Sequence, residues 1–472
     1  MTKRILLNAF HMNCVVHQSP GLWVLPGDRM HEYNKLEPWV ELAKILEKGK
    51  FDALFLADVV GVYDVFRNNR EAAVSQAAQI PVNDPVALIP AMAYATEHIG
   101  FAWTSSVLQN HPFAFARTVS TLDHLTNGRL AWNIVTSYLE SGARNFGKTS
   151  LPEHDERYAI ADEYLEATYR LWESSWEEGA VVKDRARGIY ADPKRVHSVN
   201  FSGKYYQVNG VHLSEPSPQR TPVLYQAGAS PRGRQFAAEH AECVFVLGPN
   251  PAVVSQYVSD TRERARGFGR NPDDLKFLAY VKVITGGTEA EAKKKYDEFY
   301  ENISYDASMA LLSGWSGIDF GDYSPDQPLR YIETNAVRTL VHGFTEADPN
   351  RTWTLRDLAK YIGIGGAGPV LVGAPEQIAD QLEQWTAVGV DGFNLAYAVT
   401  PGSFIDFVDG VIPVLQKRGL AQTEYQPGTL RQKIYGPSHR YLLDRHPASK
   451  YRRLRSEPAA AAVSGREPRV SL

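Results

Sequence analysis

Residues 100–137 read GFAWTSSVLQNHPFAFARTVSTLDHLTNGRLAWNIVTS. Gly100–Val107 and Leu130–Ser137 are short and almost continuously apolar rather than alternating. That pattern belongs to strands buried on both faces, and such strands are parallel. Phe113–Leu125 between them carries a helical pattern, so the stretch is one strand–helix–strand unit. The unit repeats outward in both directions. Further strands are predicted at Ile5–Phe10, Phe51–Asp58, Val223–Gly228, Cys243–Gly248, Phe277–Thr285 and Gly392–Tyr397. Helical patterns sit between them at Leu36–Lys48, Asp84–His98, Glu153–Trp176, Pro231–Ala241, Pro251–Phe268, Glu289–Asn302, Pro375–Ala387 and Ser403–Arg418. About eight such alternations predict an α/β fold of the (β/α)₈ TIM-barrel type, with a doubly wound sheet as the alternative.

Two stretches break the rhythm and are expected to be insertions, about 177–220 and about 303–368. Long insertions in a barrel usually form lids or substrate walls. The barrel is expected to occupy residues 1–436. Residues 437–472 are basic and then Ala/Pro-rich, and form a C-terminal arm or disordered tail.

The chain has 472 residues, with 50 Lys and Arg against 54 Asp and Glu, a net charge of −4. No basic block points to nucleic acid. Cys14 and Cys243 lie in no metal-ligand or redox spacing and are expected to be buried reduced thiols. The opening MTKRILLNAFHMNCVV looks superficially like a leader. Asn8, His11 and Asn13 interrupt its apolar run, and it is expected to be the first barrel strand. No apolar run approaches the roughly 18 residues of a membrane span. A cytoplasmic protein is expected. Gly363-Ile-Gly-Gly-Ala-Gly368 fits G-x-G-x-x-G, but a helix precedes it and a strand follows, the reverse of a dinucleotide site. Thirteen histidines show no HExxH and no ligand triad at close spacing, so no metal is expected.

The strongest local signal is Val223-Leu-Tyr-Gln-Ala-Gly-Ala-Ser-Pro-Arg-Gly-Arg234. A buried strand ends near Gly228, Ser230 is placed to cap the next helix, and Pro231 suits its first position. A helix start offers free N–H groups and a positive dipole end, and Arg232 and Arg234 follow. The turn suits a phosphate monoester. Other predicted strand ends carry polar residues where a barrel keeps its active site: Asp58, Thr104-Ser105-Ser106, Asn133 and Ser137. Asn133 and Ser137 share a parity and are expected to face the same side.

Several motifs together resemble the bacterial-luciferase-like flavin monooxygenases. They are Lys50-Phe-Asp-Ala-Leu-Phe-Leu-Ala-Asp58, Thr121-Leu-Asp-His-Leu-Thr-Asn-Gly-Arg129, Trp132-Asn-Ile-Val-Thr-Ser137, Ala143-Arg-Asn-Phe-Gly147, His154-Asp-Glu-Arg-Tyr158, Ala161-Asp-Glu163, Tyr225-Gln-Ala-Gly-Ala-Ser-Pro-Arg-Gly233 and Val390-Asp-Gly-Phe-Asn-Leu395. The resemblance runs from about residue 4 to 430, and its branch is that of the nitrilotriacetate, EDTA and dibenzothiophene-sulfone monooxygenases. Ser19, Gly21, Trp23, Gly61-Val-Tyr-Asp64, Val82-Asn-Asp-Pro85 and Ala396-Tyr-Ala-Val-Thr-Pro-Gly402 point within that branch to cleavage of small alkyl sulfides.

The resemblance implies a TIM barrel with insertions that uses FMN, received as FMNH₂ from a separate NAD(P)H:FMN reductase, together with O₂. It also implies a homo-oligomer of two or four copies. Asp58, Ser105, Asn133, Ser137, Tyr158, Gly228 and Ser230 match positions lining the flavin site. Ser230 and Tyr158 match its phosphate end, and Asp58 and Asn133 its ring end. His17 matches a histidine near flavin and substrate, though the spacing from His17 to Trp23 is one residue longer here than in the sulfone enzymes. Histidine titrates near neutrality, which makes His17 the candidate catalytic acid or hydrogen-bond donor. The implied reaction is oxidative cleavage of a carbon–heteroatom bond. Its best-matched substrate is dimethyl sulfide, giving methanethiol and formaldehyde. An aryl sulfone, an aminopolycarboxylate or a chlorinated aromatic is the alternative substrate, and a deazaflavin-dependent dehydrogenase is the alternative class.

Overall fold

A computed structural model describes residues 4–329, 352–366 and 368–453. Eight parallel strands close on themselves in chain order: β1 (Leu6–Met12), β2 (Ala53–Ala57), β3 (Gly100–Ser106), β4 (Leu130–Val135), β5 (Val223–Gln226), β6 (Cys243–Val246), β7 (Lys276–Thr285) and β8 (Gly392–Ala396). The pairing of Leu6 with Gly392 joins first strand to last, and that of Cys243 with Lys276 joins β6 to β7. A doubly wound sheet would leave two edges open, and this sheet closes into a barrel. A further strand, Val370–Gly373, pairs only with the far half of β7.

Alternation along the strands divides the side chains between two cores. Leu6, Phe10, Phe55, Ala102, Ala131, Tyr225, Cys243, Leu278 and Tyr280 pack together inside the barrel. Phe101, Trp103, Leu130, Trp132 and Leu224 face the surrounding helices instead. Both cysteines are free and buried, as expected. Phe10 meets Phe55, Phe245 and Tyr280 edge to face, with centroids 5.4, 5.1 and 6.0 Å away, so the interior is filled with rings rather than open. The helix Leu430–Tyr435 closes the opposite, N-terminal end. Its Leu430 enters the interior, and its Arg431 pairs with Glu242, both side chains at 1% exposure or less. The lack of a side chain at Gly100 makes room for this closure, because a Cβ there would lie 2.8 Å from Leu430 Cδ1.

Four helices position the site: α1 (Glu37–Lys48), α2 (Pro112–Leu125), α3 (His154–Tyr169) and α4 (Pro231–His240). The expected helix over 84–98 is broken into a tight turn, Pro85–Ala87, and a short helix, Ile89–Tyr94. Two prolines at element starts explain the break, since proline donates no backbone hydrogen bond. α3 ends at Tyr169 and continues as a π-helical turn, Arg170–Ser174.

The two insertions take different places. Residues 177–220 form two small hairpins along the outside of α2 and α3. His212 Nε2 lies 2.8 Å from Ser120 Oγ, and Glu163 accepts the backbone N–H groups of Lys204, Tyr205 and Tyr206 at 2.6–2.8 Å. This insertion is therefore a buttress for those helices. The second insertion packs Ala307, Leu311, Leu355 and Ile362 against Tyr63 and Phe66, beside the C-terminal mouth. Part of its expected span, 330–351, lies outside the described residues, as does Ala367 of the glycine motif. The helix Leu355–Gly365 precedes that motif and Val370–Gly373 follows it, the order that argued against a dinucleotide site. From the expected C-terminal arm, Leu442, Ala448 and Tyr451 pack into the main core, and residues 454–472 lie outside the described residues.

Candidate active site

The C-terminal mouth gathers the strand ends named from sequence, and three corners of it differ in chemistry. At the first corner β5 stops at Gln226, two residues before the expected end, and Ser230 caps α4 by accepting the Gly233 N–H at 3.0 Å. The Tyr158 hydroxyl stands over this turn. A Cβ at Gly228 would lie 2.6 Å from that hydroxyl, and one at Gly233 2.7 Å from it. Glycine is therefore required at both positions for the tyrosine to approach. Tyr257 holds the turn from behind, its hydroxyl donating to Gly228 O at 2.7 Å.

The arginines expected to face a phosphate here are taken up elsewhere. Arg232 pairs with Asp162, and Arg234 pairs with Asp260 at 2.9 Å. The cation that sequence reasoning missed is Arg157, next to Tyr158. It donates to Ser137 O, and its Nε is buried without a partner. Its signal was present in His154-Asp-Glu-Arg-Tyr158, one position before the predicted tyrosine. Helix N–H groups, two hydroxyls and one cation make this corner fit a phosphate monoester.

The second corner is a cleft over the ends of β2, β3 and β4. Its two lobes, about 80 and 430 Å³, share Asp58, Val59, Val60, Gly61 and Gln109. Ser106 and Ser137 line the smaller lobe and bond to each other at 2.8 Å. Ser137 has φ 64°, so it has left the strand, and the shared parity with Asn133 ends at Val135. Asn133 itself faces inward and donates to Thr104 Oγ1 at 3.0 Å, leaving its own Oδ1 buried and unpartnered. Ser105 shares the parity of Phe101 and Trp103, away from the cleft side on which Ser106 sits, and its buried Oγ is also unpartnered. Asp58 is pushed up to about 7, by burial first and then by Asp84, while the Val59 N–H partly offsets the shift.

The third corner is the loop after β1. His17 is buried, packs against Phe10 at 4.6 Å, and leaves Nδ1 without a partner. Burial first, then the nearby His11 and Lys282, hold its pKa well below the ordinary histidine value. The ring is neutral at physiological pH. It can donate or accept one hydrogen bond, and the acid role expected from ordinary histidine titration is removed.

At this third corner the group brought towards neutrality is one the sequence reading passed over. Lys282 is fully buried, and its Nζ donates to Gln18 O at 3.0 Å and to Ser19 Oγ at 2.8 Å. Burial alone brings it down from 10.5 to about 7. The signal was a lysine inside the apolar strand Phe277-Leu-Ala-Tyr-Val-Lys-Val-Ile-Thr285, on the same inward parity as Leu278 and Tyr280. Gly366 closes over this corner, where a Cβ would meet Gln18 Oε1 at 2.6 Å and Tyr280 OH at 2.7 Å, both atoms otherwise unpartnered. A hydrogen-bonded wall completes the mouth. Gln79 Nε2 donates to His17 O at 2.7 Å, Tyr63 OH donates to Gln79 Oε1 at 2.9 Å, and Trp315 Nε1 donates to Tyr63 OH at 3.2 Å.

A closed parallel barrel with a phosphate-type turn after its fifth strand and a polar cleft at its C-terminal mouth has the architecture of a barrel enzyme. The profile described as luciferase-like monooxygenase matches residues 20–392. The chain is 50% identical to dimethyl-sulfide monooxygenase of Hyphomicrobium sulfonivorans over 96% of this chain and 94% of that one. It is 49% identical to long-chain alkane monooxygenase of Geobacillus thermodenitrificans over 97% and 100%. The crystal structure of DmoA from Hyphomicrobium sulfonivorans superposes with a TM-score of 0.92 at 48% identity, covering 97% of this chain and 99% of that chain. The chain belongs to the luciferase-like monooxygenase family and is a flavin-dependent monooxygenase. The branch named from the motifs is represented among its relatives.

Proposed function

We propose that this protein is the oxygenase component of a two-component system that takes reduced FMN from a separate NAD(P)H:FMN reductase and cleaves a C–S bond of a small dialkyl sulfide. For dimethyl sulfide the balance is dimethyl sulfide + O₂ + FMNH₂ → methanethiol + formaldehyde + H₂O + FMN. The observation that carries the reading is the set of buried polar atoms left without partners around one mouth: Asn133 Oδ1, Gln226 Oε1, Arg157 Nε and His17 Nδ1. Buried polar groups are normally satisfied, so such a set marks where a polar ligand belongs.

Reduced FMN supplies two electrons and the activation of O₂. The chain's own part is as follows. Gly228, Ser230 and Tyr158, with Arg157 beside them, would hold the phosphate. Asn133, Ser137 and Asp58 would hold the polar edge of the ring. Phe10 and Tyr397, whose rings lie 4.6 and 6.3 Å from that of His17, would give the third corner an aromatic surface that suits a polarisable sulfur. Lys282 fixes the loop at Gln18 and Ser19, and so the position of His17, whose neutral ring offers one hydrogen bond at the reacting centre. An aminopolycarboxylate would need several free cations, whereas the one lysine described here is already committed to Gln18 and Ser19. No described helix is long and apolar enough to cross a membrane.

The near-equal likeness to the alkane enzyme makes monooxygenation of a long-chain alkane the second reading. One experiment separates them. The purified chain is given photoreduced FMN, O₂ and, in parallel, dimethyl sulfide, a long-chain alkane, dibenzothiophene sulfone and nitrilotriacetate, and products are read by mass spectrometry. Methanethiol and formaldehyde are expected. An alcohol from the alkane, with no thiol from the sulfide, would transfer the assignment to the second reading. Turnover without O₂ would indicate a dehydrogenase.

A further inference from the structure

α3 and α4 lie side by side on the outside of the barrel, and the C-terminal segment around Tyr451 covers their far ends. A cavity of about 620 Å³ opens there, lined by Asp162, Glu163, Glu166, Glu239, His240 and Lys450 among others. A carboxylate oxygen of Asp162, one of Glu239 and a ring nitrogen of His240 all lie within 4.8 Å of one another. His240 Nε2 is 3.4 Å from Asp162 Oδ1 and 3.8 Å from Glu239 Oε2.

His240 is 6% exposed, and both its Nε2 and Asp162 Oδ1 are buried without a hydrogen-bond partner. At 3.4 Å proximity is present and direction is absent, since the ring N–H is not aimed at the carboxylate. Two lone pairs aimed at a common point give this geometry. A tetrahedral ion about 2.1 Å from each ligand sets ligand–ligand edges of about 3.4 Å.

The surroundings have the form of an outer shell. The other ring nitrogen of His240, Nδ1, is 3.4 Å from the Tyr169 hydroxyl. Arg232 pairs with Asp162 through Oδ2, which orients the carboxylate and leaves Oδ1 free. Such partners, one for the histidine and one for the carboxylate, are what ligating side chains require. Arg170 also lines the cavity, but Glu166 holds it at 2.6 Å.

We propose that Asp162, Glu239 and His240 bind one divalent transition-metal ion, Zn²⁺ by ligand type, with the fourth position supplied from the cavity. The ion would tie α3 to α4 on the outside of the barrel, a structural role separate from the proposed reaction. Asp162 and the Glu239–His240 pair come from different helices far apart in the chain, so no ligand spacing was legible in the sequence.

The test uses full-length protein stripped by chelator and dialysed. Zinc chloride binding is followed by calorimetry with elemental analysis. Cobalt chloride is followed by visible absorption, in which a tetrahedral site gives intense bands. One ion per chain is expected, together with a rise in melting temperature on zinc addition. Asp162→Asn and His240→Gln are expected to lose more affinity than the roughly 10–100-fold that removal of an outer-shell partner costs. Glu239→Gln, like Asp162→Asn at a half-buried side chain, keeps the test open should the variant at the buried His240 fail to fold. His98→Ala, which removes an exposed histidine beside Glu97, is expected to change nothing. The proposal is overturned if wild-type protein binds neither ion, or if binding persists in the folded ligand variants, or if it tracks His98.

Discussion

Replacing Lys282 by Met should make the protein more stable at neutral pH and less active. The amine has no exposure, and among the described residues it has two hydrogen bonds and no ion pair. Its pKa falls from 10.5 to about 7, with burial as the cause. A lowered pKa on a base means the unfolded chain holds the proton more tightly than the folded one. The penalty is complete below about pH 7 and is relieved as pH rises towards 10.5. At about 1.36 kcal/mol for each tenfold difference in proton affinity, the pH-dependent part is at most roughly 5 kcal/mol. Against this, methionine leaves Gln18 O and Ser19 Oγ short of a donor, which costs about 1–3 kcal/mol at every pH. Urea denaturation from pH 6 to 10 should therefore show Lys282→Met ahead of wild type by a few kcal/mol at the acid end, with the two curves crossing as pH rises. Coupled turnover should fall in the same variant, because the loop carrying His17 has lost its tether. Parallel stability curves would refute the reasoning, as would normal coupling in a folded variant.

His17→Ala should retain the fold and FMN affinity but release hydrogen peroxide in place of product, most coupled turnover being lost with the ring's one hydrogen bond. Product and peroxide are measured together, and near-normal coupling would make the ring a bystander. Tyr158→Phe should weaken FMN and leave riboflavin, which lacks the phosphate, unchanged, so that the preference for FMN narrows in a fluorescence titration. An equal preference in both proteins would remove the turn at Gly228–Ser230 from the phosphate. Asp58→Asn should stabilise the protein above pH 7. The acid's folded pKa of about 7 exceeds its unfolded value of 3.8, so the stability it contributes is complete below pH 3.8 and lost as pH rises through 7. The gain, at most about 4 kcal/mol, should vanish at the acid end of a pH series of melts, and a gain independent of pH would contradict it.

The barrel was legible because all eight strands announce themselves as apolar runs between helices, and burial on both faces leaves little other composition open to them. The site was legible in its residue types and much less in their directions. Ser105 and Ser106 are equally polar neighbours in one strand, and alternation turns only Ser106 to the cleft. Arg232 and Arg234 sit where a phosphate site would want cations, yet Asp162 and Asp260, carried by other helices, claim both. Lys282 is the sharper case. Lysine in a buried strand reads as a flaw in the apolar pattern, and such flaws are where function is retained against stability. His17 was singled out by the resemblance and given an acid's role because histidine is expected to titrate, but burial holds its pKa well below the ordinary value and brings the lysine beside it down to about 7. A residue's intrinsic chemistry therefore predicts its role only after burial is known. Inward-facing charged residues on predicted barrel strands deserve to be weighed ahead of histidines in the loops, and in this chain the parity of Leu278, Tyr280 and Lys282 would have sufficed to pick the lysine out.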